Sequence, residues 1–119
     1  MSLDGTRILL VEDEAIIAMT AEDMAAELGC LVVASAATLD EALAAAARGG
    51  FDIALLDINL NGANSLPVAA RLKAQGRPFV FTTGYGAPGR DPAYRDAPLV
   101  TKPYRVADLK AAIAEALGR

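Results

Sequence analysis

The chain is 119 residues long, 54% hydrophobic and 22% charged, which suits one well-packed domain and excludes a disordered or supercharged chain. Its 11 Lys and Arg against 15 Asp and Glu leave a net charge of −4, so there is no basic stripe to hold nucleic acid by counterion release. With no histidine and one cysteine, Cys30, the chain lacks Ser-His-Asp and Cys-His catalysis, the usual zinc sites and any intrachain disulfide. A single thiol fits a reducing, cytoplasmic setting. No apolar segment follows a basic flank in Met1 to Arg7, and no uncharged run is long enough to span a bilayer. The chemistry available is that of carboxylates, hydroxyls, lysine or a metal.

Strand-like and helix-like segments alternate along the chain. Arg7 to Val11 is a short apolar run that ends abruptly in Glu12-Asp13-Glu14, as expected of a parallel strand covered on both faces. From Ala15 the spacing turns helical, with Ile17, Ala21, Met24 and Leu28 on one face and Gly29 as the stop. Cys30 to Ala34 reads as a second strand. Thr38-Leu39-Asp40-Glu41 is a capping-box pattern opening an alanine-rich helix that reaches Arg48. Ile53 to Leu56 is a third strand closing on Asp57, and Asn59 to Asn64 carries loop chemistry. Ser65 is placed to cap a helix with Pro67 in its first turn. Phe79 to Phe81 is a fourth strand leading into Thr82-Thr83, and Leu99 to Thr101 a fifth leading into Lys102-Pro103. A last helix aligns Val106, Leu109, Ile113 and Leu117. The stretch from Gly84 to Pro98 breaks the rhythm. Its three glycines and three prolines predict a loop or a poorly formed fourth helix.

This alternation implies an α/β fold, a five-stranded parallel sheet with helices on both faces, forming one domain over residues 1–119. Open parallel sheets place ligands beyond the carboxyl ends of their strands. The residues there are Glu12, Asp13, Asp57, Thr83 and Lys102. Two unit charges at 4 Å cost about 4 kcal/mol at an effective dielectric near 20. The three acids therefore call for a proton or a divalent cation among them. Oxygen-only ligands favour a hard ion, and Mg²⁺ fits best. A carboxylate nucleophile, Mg²⁺, a lysine and a hydroxyl together form a phosphoryl-transfer kit.

At Glu12-Asp13, Asp57, Thr83 and Lys102-Pro103 the chain resembles the receiver domain of bacterial two-component response regulators, along essentially its whole length. The resemblance implies a flavodoxin-like, doubly wound sheet of strand order 2-1-3-4-5. Asp57 would be the phosphoacceptor, receiving a phosphoryl group from a histidine kinase or a histidine phosphotransfer protein. Glu12, Asp13, Asp57 and the backbone carbonyl of Asn59 would hold Mg²⁺. Thr83, the Gly84 backbone and Lys102 would bind the phosphoryl oxygens, the bond before Pro103 would be cis, and Asn59 and Tyr85 would tune dephosphorylation. Three departures stand out: Glu12 where aspartate is more frequent, Leu99 where an aromatic switch is usual, and the broken fourth helix. The string Pro78 to Tyr85 resembles a subgroup, often single-domain, that carries a Phe-Ala-Thr-Gly-Tyr motif.

Competing readings are weaker. Gly84 to Gly89 spells G-x-G-x-x-G, but Pro88 and Pro92 oppose the helix that a dinucleotide site needs. A phosphatase with an aspartyl-phosphate intermediate typically has a general acid two residues after its nucleophile, where this chain has Asn59. A phosphorylation-independent binding module with a vestigial pocket is the alternative to a switch. No DNA-binding module follows Leu117, so output is expected through contacts with an unidentified downstream protein.

Overall fold

The computed structural model describes residues 3–84, 94 and 96–118. The elements are β1 (Arg7–Val11), α1 (Ala15–Glu27), β2 (Leu31–Ala36), α2 (Leu39–Arg48), β3 (Ile53–Asp57), β4 (Asn59–Leu60), β5 (Ala63–Asn64), α3 (Leu66–Ala74), β6 (Phe79–Thr83), β7 (Leu99–Thr101) and α4 (Val106–Ala116). Five strands form a parallel sheet of order β2-β1-β3-β6-β7, the 2-1-3-4-5 order once the short β4-β5 hairpin is set aside. The segment expected to disrupt a fourth crossover helix lies mostly outside the described residues.

The period-2 alternation of each strand divides the core in two. Leu9, Val11, Leu56 and Phe81 face one side and pack with α2 and α3. Ile8, Leu10, Leu55 and Val80 face the other and pack with α1 and α4. The central strands β1, β3 and β6 are largely apolar because helices cover both of their faces. Helix α1 buries Ala21 and Ala25, small residues that let it lie close to the sheet, while Ile17 and Met24 stay half-buried. Tyr94 packs edge-on against Phe79 and Phe81, with ring centroids 6.1 and 6.0 Å away, and Lys73 sits 5.3 Å over its ring. On the edge strand, the pairing register slips between Ile8 and Leu9, so Val33 has no partner on β1.

Local chemistry departs from the sequence pattern in three places. Asn59 to Asn64 is a hairpin, in which Asn59 pairs with Asn64 and Leu60 with Ala63. Asn61 and Gly62 both adopt positive φ, 51° and 90°, as a type I′ turn requires. Ser65 does not cap α3. It is fully buried, and among the described residues its hydroxyl has no hydrogen-bond partner. The cap comes from Asn64, whose Oδ1 accepts the Leu66 N–H at 2.8 Å. At α2, Thr38 Oγ1 accepts the Glu41 N–H at 3.1 Å, but the returning Glu41 carboxylate accepts the N–H of Ala37, one residue earlier than a capping box has it. Among the described residues no helix is long and apolar enough to cross a membrane.

Leu109 is fully buried between α4 and the sheet. Leu109→Ala is expected to cost about 2–5 kcal/mol in denaturant unfolding, as large-to-small core substitutions do. Ile16→Ala, at a side chain 79% exposed, should stay within about 0.5 kcal/mol. Ser65→Ala removes an unpaired buried hydroxyl and should stabilise the fold by about 1 kcal/mol.

Candidate functional site

Strands β1, β3, β6 and β7 lie side by side and end together, so their carboxyl ends bring five distant residues to one edge. Glu12 and Asp13 follow β1, and Asp57 closes β3. Thr83 closes β6, and its carbonyl accepts the Lys102 N–H at 2.7 Å, which fixes the start of the segment after β7. The Lys102–Pro103 peptide is cis.

The centre of the site is an ion-pair network. Lys102 Nζ lies 2.6 Å from Glu12 Oε1 and 2.9 Å from Asp57 Oδ2. Glu12 and Asp57 are 6% and 5% exposed. The other Glu12 oxygen accepts the Glu14 N–H at 3.1 Å, so this side chain also ties down the start of α1. Asp57 Oδ1 accepts the Asn59 N–H at 3.2 Å, leaving both Asp57 oxygens held. Glu12, Asp13 and Asp57 each offer a carboxylate oxygen within 4.8 Å of the others, with Asp13 the most exposed of the three. All-oxygen donors of this charge fit a hard divalent cation.

Burial pushes the Glu12 carboxyl above its ordinary range; its bond to Lys102 opposes this and the nearby Asp57 charge adds to it. Burial works to lower the Lys102 ammonium, but bonds and charges from Glu12 and Asp57 together leave it above the ordinary lysine value. Burial likewise raises the Tyr104 phenol, helped by Glu12. Sequence reasoning offered a proton or a metal as relief for the crowded acids. The structure adds a third source of relief, because Lys102 itself is seated between two of them.

Over this network opens a cavity of about 480 Å³. Asp13, Asp57, Thr83, Gly84 and Lys102 form its polar wall, and Ile17, Met24 and Tyr104 its apolar one. The apolar wall was not singled out from sequence, although Tyr104 directly follows Lys102-Pro103. Thr82, the neighbour of Thr83, does not line the cavity; its carbonyl accepts the Ile58 N–H at 3.1 Å. Asn59 lines the cavity, and its side-chain Oδ1 is engaged by the Gly62 N–H at 2.8 Å. Leu99 packs against the core. Tyr85 lies outside the described residues.

The family model described as the response regulator receiver domain matches residues 8–114. None of the curated proteins matches the chain. Among solved structures, the solution structure of SdrG from Sphingomonas melonis Fr1 is 42% identical with a TM-score of 0.86, covering 95% of this chain and 97% of that one. The BeF3-activated conformation of SdrG from Pseudomonas melonis Fr1 is 40% identical with a TM-score of 0.81, covering 97% and 98%. The response regulator PhyR from Brucella abortus is 33% identical with a TM-score of 0.82, covering 98% of this chain but 49% of that one, so this chain spans about half of PhyR. Strand order, clustered acids and sequence thus agree, and the chain belongs to the receiver domain family of two-component response regulators.

Proposed function

We propose that the chain is a phosphorylation-dependent switch with Asp57 as its phosphoacceptor. One observation carries this reading. Asp57 is nearly buried and held at both oxygens by Lys102 and Asn59, yet it faces the cavity shared by Asp13 and Thr83. A carboxylate fixed in this way and open on one side is oriented for attack on an incoming phosphorus.

Receiver domains interact with kinases or phosphotransfer proteins. In the proposed reaction an Asp57 oxygen attacks the phosphorus of a phosphohistidine on such a partner. The new P–O bond forms as the donor P–N bond breaks, and the imidazole leaves with the P–N electron pair. Glu12, Asp13, Asp57 and the Asn59 carbonyl would hold Mg²⁺, which supplies positive charge to the phosphoryl oxygens. Lys102 exchanges a carboxylate for a phosphoryl oxygen, while the Thr83 hydroxyl and the Gly84 N–H donate to the others. Hydrolysis reverses the modification: water attacks phosphorus and the Asp57 carboxylate leaves. Asn59 and Tyr85 tune its rate.

The added charge of about −1.5 to −2 draws Thr83 inward and changes the surface from Gly84 to β7. Support comes from SdrG, a similar protein described in a BeF3-activated conformation; beryllofluoride mimics a phosphoryl group on a carboxylate. The setting is the cytoplasm and the output a contact with a downstream protein.

Incubation with acetyl phosphate or a phosphohistidine donor should add one phosphoryl group by intact mass, only with Mg²⁺ and not in Asp57→Asn. An adduct that survives in Asp57→Asn, or none from either donor, would overturn the assignment. Mg²⁺ should raise the melting temperature of the wild type, as any ligand of the native state does, and much less that of Asp57→Asn.

Lys102 and Mg²⁺ neutralise the same acids, so Lys102→Met should bind Mg²⁺ roughly tenfold more tightly. That is about 1.4 kcal/mol, well inside the ~4 kcal/mol two unit charges exchange at 4 Å and an effective dielectric near 20. Isothermal titration checks it, and weaker binding by Lys102→Met would contradict the shared role.

A further inference from the structure

We propose that the Asn61–Gly62 peptide is a site of spontaneous deamidation, held shut in the folded protein by the side chain of Asn59. The reaction needs nothing but water. The Gly62 amide nitrogen gives up its proton and attacks Asn61 Cγ. The N–Cγ bond forms as the Cγ–Nδ2 bond breaks, and Nδ2 departs as ammonia carrying a proton. Water then opens the resulting succinimide at one carbonyl to give aspartate or at the other to give isoaspartate, and the new acid ionises.

Sequence and geometry set the site apart. Asn61 is the only asparagine in the chain followed by glycine; Asn59 precedes Leu60 and Asn64 precedes Ser65. Asn61 is exposed, and among the described residues a Cβ built on Gly62 would meet nothing within 4 Å. What opposes the reaction is conformational and electronic. The Gly62 N–H is donated to Asn59 Oδ1 at 2.8 Å, so the nucleophilic nitrogen is already engaged. The positive φ values of Asn61 and Gly62 fix the I′ turn, and pairing of Asn59 with Asn64 and Leu60 with Ala63 closes it from below. A two-residue turn with so short a ladder opens readily.

The product falls in a sensitive place, since Asn61 lines the same cavity as Asp13 and Asp57. Deamidation there adds a further carboxylate to an acid-rich cavity, and the isoaspartate form lengthens the loop backbone by one methylene. Unlike a phosphoryl group, neither change is reversed by hydrolysis.

The test is to hold the full chain in mildly alkaline buffer and follow the peptide spanning residues 61–62 by mass spectrometry and isoaspartate assay. Folded wild type should convert slowly and the urea-unfolded chain fastest. Asn59→Ala should convert about fivefold faster than folded wild type, the population change that loss of one net hydrogen bond brings. Asn59→Asp keeps an oxygen acceptor and should match the wild type. Conversion in folded wild type as fast as in urea would overturn the proposal. So would a folded Asn59→Ala no faster than wild type, or an Asn59→Asp as fast as Asn59→Ala. The wild-type comparison with urea and the Asn59→Asp variant still decide the matter if Asn59→Ala does not fold.

Discussion

The Lys102 ammonium between Glu12 and Asp57 is the interaction on which the site depends. Two carboxylates, each over nine-tenths buried, could not stay ionised side by side without a cation. One lysine meets that need for two acids and leaves Asp13 as a third negative charge at the rim. The cluster is therefore stable enough to fold around and still short of positive charge. That imbalance makes the acidic cluster a fit for a hard cation.

The fold supplies this arrangement with little specialised structure. Apolar strands covered on both faces must run parallel beneath crossover helices, and parallel strands end at the same edge. The backbone bond from Lys102 to the Thr83 carbonyl carries the register of the last strand into the site. Glu12 links it to the first helix through the Glu14 N–H. Each acid or base thus sits where a strand stops, and the rigid sheet fixes their separation.

Much of this was legible in the sequence. β1 and β7 have the bounds that their apolar runs indicated, and the two acids after β1 and the one closing β3 marked the edge where the carboxylates gather. The rest depended on tertiary context. β2 runs on to Ala36, beyond the apolar stretch, because pairing with Val11 extends it. The polar residues of Asn59 to Asn64 read as loop, although Asn-Gly between Leu60 and Ala63 is a hairpin signal. Ser65 looks like a cap by residue type, but Asn64 Oδ1 accepts the first N–H of α3 and takes the role. By sequence Lys102 is a partner for an incoming anion; only geometry shows it already holding two carboxylates.

The mismatch at Val33 has a consequence for how copies of the molecule behave toward one another. The outer margin of the sheet carries Leu31 and Val33, 57% and 46% exposed, the kind of sticky, open border along which extended chains stack into fibres. An extra residue in that strand bends it and interrupts its even spacing, so a newcomer cannot lie flush along its length. The greasy border is thereby a poorer template for such stacking.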